Sequence, residues 1–164
     1  MSQPGHPTQP GAGQRGRALG REVAFLAACH FDQEGRPDSQ TALASFWTDA
    51  PASETGGTFA ALVRDDAAAR VFAEALTERL VEDWTAVNDT LEGASERWRL
   101  ARMDLVDRNV LRVACVELRL GNDTPPRVIA AEAVKLAGRY GSERSGRFVN
   151  GVVSTLVSEA ARAD

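Results

Sequence analysis

Arg15, Arg17 and Arg21 crowd the N-terminal region, and the string Gly138-Arg139-Tyr140-Gly141-Ser142-Glu143-Arg144-Ser145-Gly146-Arg147 mixes arginine, one aromatic ring and small residues. Guanidinium groups meet phosphate through paired hydrogen bonds, and Arg and Tyr planes stack on bases, so this mixture suits single-stranded RNA. Both clusters also break a local rule. Cations at a helix N-terminus oppose the helix dipole, at a cost of a few tenths of a kcal/mol to about 1. A bound phosphate reverses that sign, because free N–H groups and arginines then point at one anion. Departures of this kind mark candidate sites. The expected surface is two arginine-bearing helix ends side by side, formed by Arg15, Arg17 and Arg21 with Tyr140, Arg144 and Arg147. The competing reading of the second string is a solvated helix junction with Tyr140 tucked into the core.

Catalysis has little to use. The chain has two histidines, His6 in the opening segment and His30 on the apolar side of the first helical pattern, where it reads as a half-buried structural residue. P-loop, GxGxxG, HExxH and CxxC patterns are missing from the sequence. Cys29 and Cys115 sit in apolar stretches with no further Cys or His at ligand spacing, which predicts free thiols and neither metal nor cofactor. No enzymatic activity is expected.

The elements that must position the arginines read as helical. Of 164 residues 27 are Ala, and the prolines gather at the N-terminus and at three interior breaks. No stretch approaches the roughly 20 apolar residues of a membrane span. Residues 1–14 lack the apolar core of a signal peptide and read as a flexible tail. Residues 15–164 then form one helical domain, expected in the cytoplasm. The net charge of −4 conceals a division. Residues 1–21 carry +3, residues 22–96 carry 4 basic against 15 acidic side chains, and residues 97–147 carry 11 basic against 6 acidic.

About seven helices are expected, packed as a compact bundle. The first covers residues 16–33, with Leu19, Val23, Leu26, Ala27 and His30 on one side and Arg17 and Arg21 on the other. A short helix over 38–47 and a loop over 49–57 follow. A helical pattern then runs over 58–81, with a break at Asp65 or Asp66, and another over 84–91. Residues 104–120 carry apolar side chains around almost the whole circumference, so this helix should lie at the centre. Its polar stripe is Arg108, Arg112 and Arg119, of which Arg112 is expected to pair internally with Glu132 or Glu117. Asp123 or Thr124 should cap a helix that opens on Pro125-Pro126 and ends at Tyr140. A last helix covers 143–158, burying Phe148, Val149, Val152, Val153 and Leu156.

Several strings resemble the NusB family of bacterial transcription antitermination factors. They are Trp98-Arg-Leu-Ala-Arg-Met-Asp104, Val106-Asp107-Arg108, Leu111-Arg112, Glu117-Leu118, Pro125-Pro126-Arg127-Val128 and Glu132-Ala-Val-Lys-Leu-Ala137. The most specific is Tyr140-Gly-Ser-Glu143 with Ser145-Gly-Arg147-Phe148-Val149-Asn150-Gly151-Val152. Arg17-Ala-Leu-Gly-Arg21-Glu22-Val-Ala24 is similar to the family's arginine-rich opening, whereas residues 34–70 match only in helical character. The resemblance implies an all-α fold of two packed helical subdomains. It also implies binding of boxA RNA in ribosomal RNA leaders together with NusE, a small-subunit ribosomal protein, and entry of that pair into an antitermination complex on RNA polymerase. It places Arg17, Arg21, Tyr140 and the turn from Arg144 to Arg147 on RNA, and Asp107 with its neighbour Arg108 on the ribosomal protein. Phe148 and Gly151 are expected to serve burial and close helix packing. Departures are Cys29-His30-Phe31 where Tyr, Gln and Trp are frequent, Ala131 where Asn is usual, and Arg144 where an acid is frequent. An RNA-targeting domain of a ribosomal RNA cytosine methyltransferase would share the fold, but the sequence holds no cofactor-binding sheet pattern. A protein-binding helical adaptor or self-associating form is the alternative from another class.

Overall fold

The computed structural model describes residues 12–35, 65–95 and 99–163. The expected helix over 38–47, the loop over 49–57, most of the expected tail, and Trp98 lie outside them. Among the described residues are six α-helices: α1 (Ala12–Gln33), α2 (Ala67–Glu82), α3 (Trp84–Ala94), α4 (Leu105–Leu120), α5 (Pro126–Tyr140) and α6 (Ser145–Ala163). One 3-10 turn, Leu100–Arg102, leads into α4. No strand occurs among them, and no helix is long and apolar enough to cross a membrane.

Local chemistry sets the boundaries. Asp66 caps α2 by accepting from the Ala69 amide at 3.0 Å, at the break expected there. Gly121 ends α4 in the left-handed conformation at φ 61°, which only a residue without a Cβ adopts freely. α1 begins at Ala12, one turn before the expected start, because Gly13 is the sole residue between Ala12 and Arg15 that disfavours helix. Ala12 to Gln14, assigned to the tail from sequence, are therefore helical. Pro125, and not Asp123 or Thr124, is the N-cap of α5, with φ −59° and ψ 138° and its carbonyl accepting from the Val128 amide at 2.8 Å; the Thr124 hydroxyl accepts from Arg17. α6 starts at Ser145, two residues later than expected, where the Ser145 hydroxyl accepts from the Ser142 amide at 2.9 Å.

α4 packs against every other α-helix, with α1 and α2 as one pair and α5 and α6 as another around it. Leu111, Val110, Val113 and Val116 bury with Phe25, Phe31, Leu76, Leu80 and Val149 in one core. α1 and α2 approach closely at Gly20, where a Cβ would stand 2.9 Å from the Phe72 ring and 3.0 Å from the Ala69 carbonyl oxygen. Gly151 differs from expectation: it is exposed, with nothing within 4 Å of a Cβ, so it serves no close packing. Phe148 is half-buried against the core, and Asn150 is exposed.

Candidate nucleic-acid interface

α1 and α5 both rest on α4, and long side chains bridge them to each other. Arg17 Nη1 donates to Thr124 Oγ1 at 2.7 Å, Arg139 Nη1 pairs with Glu22 Oε1 at 2.9 Å, and the Tyr140 hydroxyl donates to the same Glu22 oxygen. Around these bridges opens a groove of about 840 Å³. Arg15, Arg17, Arg127, Lys135 and Arg139 bring positive charge to its walls, against Glu22, Asp123 and Glu132. Lys135 is paired with Glu132 at 2.9 Å. A concave basic surface with exposed guanidinium groups is suited to a phosphate backbone.

Two residues expected on this surface are held by partners within the protein, although Arg21 still borders the groove. Arg21 is 4% exposed and forms a two-pronged bond to Glu117 of α4, Nε to Oε2 and Nη2 to Oε1, each 2.7 Å. Its guanidinium also lies 5.4 Å from the Phe72 ring centroid. Arg21 is therefore an internal strut, because α2 and α4 both pack on the side of α1 that carries it. The face assigned as buried from sequence is buried in part: Val23 and Ala27 lie in the core, Leu19 and Leu26 are half-buried, and His30 is exposed. Tyr140 is tucked in as well: its ring is tilted against Phe25 at 5.1 Å, and its hydroxyl is held by Glu22. Burial, the hydrogen bond to Glu22 and the charge of Glu22 push the phenol up to about 12.

Arg144 and Arg147 lie on a second groove of about 690 Å³, shared with Arg102, Asp104, Asp107 and Phe148. The single strip of side-by-side helix ends is thus two grooves. The start of α5 meets Arg17, and fifteen residues of helix span about 22 Å before the chain reaches Arg144, while Arg139 near the end of α5 still lines the first groove. Asp107, in the first turn of α4, is 6% exposed on this groove, and its Oδ1 has no hydrogen-bond partner among the described residues. Burial pushes its carboxyl up from the usual range, a hydrogen bond from Ser145 opposes that, and Asp104 adds to it. A buried acceptor left open at a groove calls for an outside donor. Arg108 does not share the groove. It is tied to Asp32 and to the Met103 carbonyl oxygen at 3.1 Å, and it borders a separate recess with Asn88, Glu92 and Arg112. Arg112 is internal as expected, but its partners are Asp32 at 3.0 Å, Asn88 at 2.9 Å and Asn109 at 2.7 Å, and neither Glu132 nor Glu117.

Residues 20–158 match the NusB family. The chain belongs to that family. It is 38% identical to the transcription antitermination protein NusB of Sorangium cellulosum over 148 residues, which is 90% of this chain and 96% of the relative. The solved NusB of T. maritima superposes with a TM-score of 0.68 at 30% identity, over 87% of this chain and 91% of the other. A solved complex of antitermination factors NusB and NusE with double-stranded RNA has the same fold, with a TM-score of 0.63 at 24% identity over 88% of this chain and 98% of that one. Within this NusB-family chain, Arg127, Lys135 and Arg139 are groove residues that the sequence reasoning did not single out. The signal was present: with Ala131 they stand four residues apart on one exposed stripe of α5. No group of three His, Cys, Asp or Glu among the described residues could hold a metal ion.

Proposed function

We propose that this NusB-family chain is a transcription antitermination factor that binds boxA RNA of ribosomal RNA operon transcripts together with NusE, as part of an RNA polymerase antitermination complex. It acts in the cytoplasm and without catalysis. The observation that carries the RNA assignment is the basic groove between α1 and α5, with Arg15 and Arg127 exposed at its start. Arg17 remains on the RNA side, while Arg21 and Tyr140 support it from within. Arg144 and Arg147, both exposed, extend the binding surface around the end of α5. Fluorescence anisotropy with boxA RNA and a scrambled RNA, each with and without NusE, tests the reading. Preferential binding of boxA that tightens with NusE supports it; equal binding of both RNAs favours a helical adaptor or self-associating protein. Arg144→Asp is expected to lower boxA affinity and to make log K less steep in log salt by about 0.7 for each phosphate that is no longer neutralised. Unchanged affinity and slope would take Arg144 off the RNA.

The open Oδ1 of Asp107 supports its assignment to the protein partner, which would supply the missing N–H donor. Asp107→Ala should weaken NusE binding roughly tenfold or more while leaving the affinity for RNA alone within twofold or so. Since burial disfavours the ionised carboxyl of Asp107, the free protein should not lose stability at neutral pH through removal of the charge. Calorimetric titration with NusE and a melting curve separate the two effects. Wild-type affinity for NusE in this variant would remove Asp107 from the interface.

A further inference from the structure

We propose that Arg139 is a phosphate-contact residue of the α1/α5 groove, held ready by Glu22 and Tyr140, whose roles are positioning and not base stacking. The proposal rests on reading this groove as an RNA surface and assigns its contact geometry. The side chain of Arg139 is 63% exposed, yet it is paired: Nη1 lies 2.9 Å from a carboxylate oxygen of Glu22, whose own side chain is 9% exposed. A long arginine at a surface ordinarily forfeits rotamer freedom when it binds an anion. Here that freedom is already restricted, while Nε and Nη2 have no partner among the described residues. A guanidinium anchored through one nitrogen still offers donors to a phosphate oxygen.

Glu22 is anchored in turn. The Tyr140 hydroxyl donates to the same carboxylate oxygen, and the Tyr140 ring is packed on Phe25. The Arg139 guanidinium lies 5.6 Å from the centroid of that ring. Phe25, Tyr140, Glu22 and Arg139 thus form a chain from core to groove. The Tyr140 ring is half-buried against Phe25, and its hydroxyl is committed to Glu22. What it supplies is the hydroxyl. Lys135 and Arg127 lie at earlier positions on the same stripe, so a backbone following α5 meets Arg127, Lys135 and Arg139 in turn.

The test uses the full chain with NusE and fluorescein-labelled single-stranded boxA RNA, measured by anisotropy across salt concentrations. Arg139→Gln should weaken binding roughly five- to tenfold at about 0.1 M salt and reduce the slope of log K on log salt by about 0.7. Arg139→Lys should keep the slope and recover only part of the affinity, because ammonium restores charge without the fork. Tyr140→Phe keeps the ring and deletes the hydroxyl. It should weaken binding about two- to threefold in the otherwise unaltered chain and have no effect in the Arg139→Gln background, since it acts through Arg139. Unchanged affinity and slope in Arg139→Gln overturn the phosphate role. An equal effect of Tyr140→Phe in both backgrounds overturns the positioning role. Failure of the unaltered chain to bind the RNA overturns the groove reading together with this one, whereas binding that Arg139→Gln leaves intact overturns this one alone.

Discussion

Glu117→Ala should destabilise the protein by about 3 to 5 kcal/mol, because it leaves the Arg21 guanidinium buried without its anion. The pair joins α1 to α4 with side chains 5% and 1% exposed, so water cannot replace the missing bonds without opening the core. Removing both partners is a different experiment. Arg21→Met with Glu117→Leu deletes two charges and keeps most of the volume, and such exchanges are frequently neutral or stabilising. The double variant should melt near or above the unaltered protein, while Glu117→Ala melts well below it. The double variant also measures whether Arg21 belongs to the RNA surface. Retained boxA affinity and salt slope are expected, since the guanidinium lies inside; a slope reduced by about 0.7 would put Arg21 on a phosphate after all.

The second large effect is expected at Asp32. Its Oδ2 receives Arg108 Nε and Asn109 Nδ2 and lies 3.0 Å from Arg112 Nη1. Arg112 is in turn held over the Trp84 ring, 4.2 Å from its centroid. Asp32→Ala removes the anion from two arginines, one of them buried, and should destabilise by roughly 3 kcal/mol in urea titration. Its pH dependence has a definite sign. Burial on its own would raise the Asp32 carboxyl, but hydrogen bonds from Arg108 and Asn109 and the charges of Arg112 and Arg108 outweigh it and hold the group below its usual value. A carboxyl lowered by folding stabilises fully above its unfolded pKa of about 4, and the contribution disappears as pH falls through the lower folded value. The unaltered protein should therefore lose stability on acidification below about pH 4, and Asp32→Asn should lose less over that interval. Parallel acid limbs for the two proteins would contradict the assignment. Cys29, beside this cluster, does not compete as an anion, because burial and the charge of Asp32 push its thiol up to about 12.

What the sequence could disclose depended on distance along the chain. The break at Asp65 or Asp66 and the central place of α4, read from apolar residues all round one helix, followed from local signals. The fate of Arg21 did not. Arg17 and Arg21, four residues apart, read as an outward stripe, and what turns Arg21 inward is an acid 96 residues away. Arg112 shows the same limit: its burial was legible from its helix, but its anion Asp32 comes from α1, and two nearer glutamates were equally compatible with the spacing. The separation of Arg15 and Arg17 from Arg144 and Arg147 follows from the length of α5, which charge patterning does not carry. Arg127, Lys135 and Arg139 were readable in principle, since a four-residue period is a local pattern. They do not stand out in the linear sequence, because apolar residues separate them and only the winding of the helix aligns them.

The two ion-pair clusters between α1 and α4 work as a pair of pegs. Arg21 with Glu117 fixes one end of the seam, and Asp32 with Arg108, Asn109 and Arg112 fixes the other. Between them Ala24, Phe25, Ala28 and Phe31 are buried in the core. A slide of one helical turn would strand both sets of charges at once. The polar bonds thus choose a single axial alignment for α1, as an isolated buried polar residue does in a coiled coil. Arg15 and Arg17, upstream of the first peg on the same helix, inherit that alignment and are delivered to the mouth of the groove at a set height.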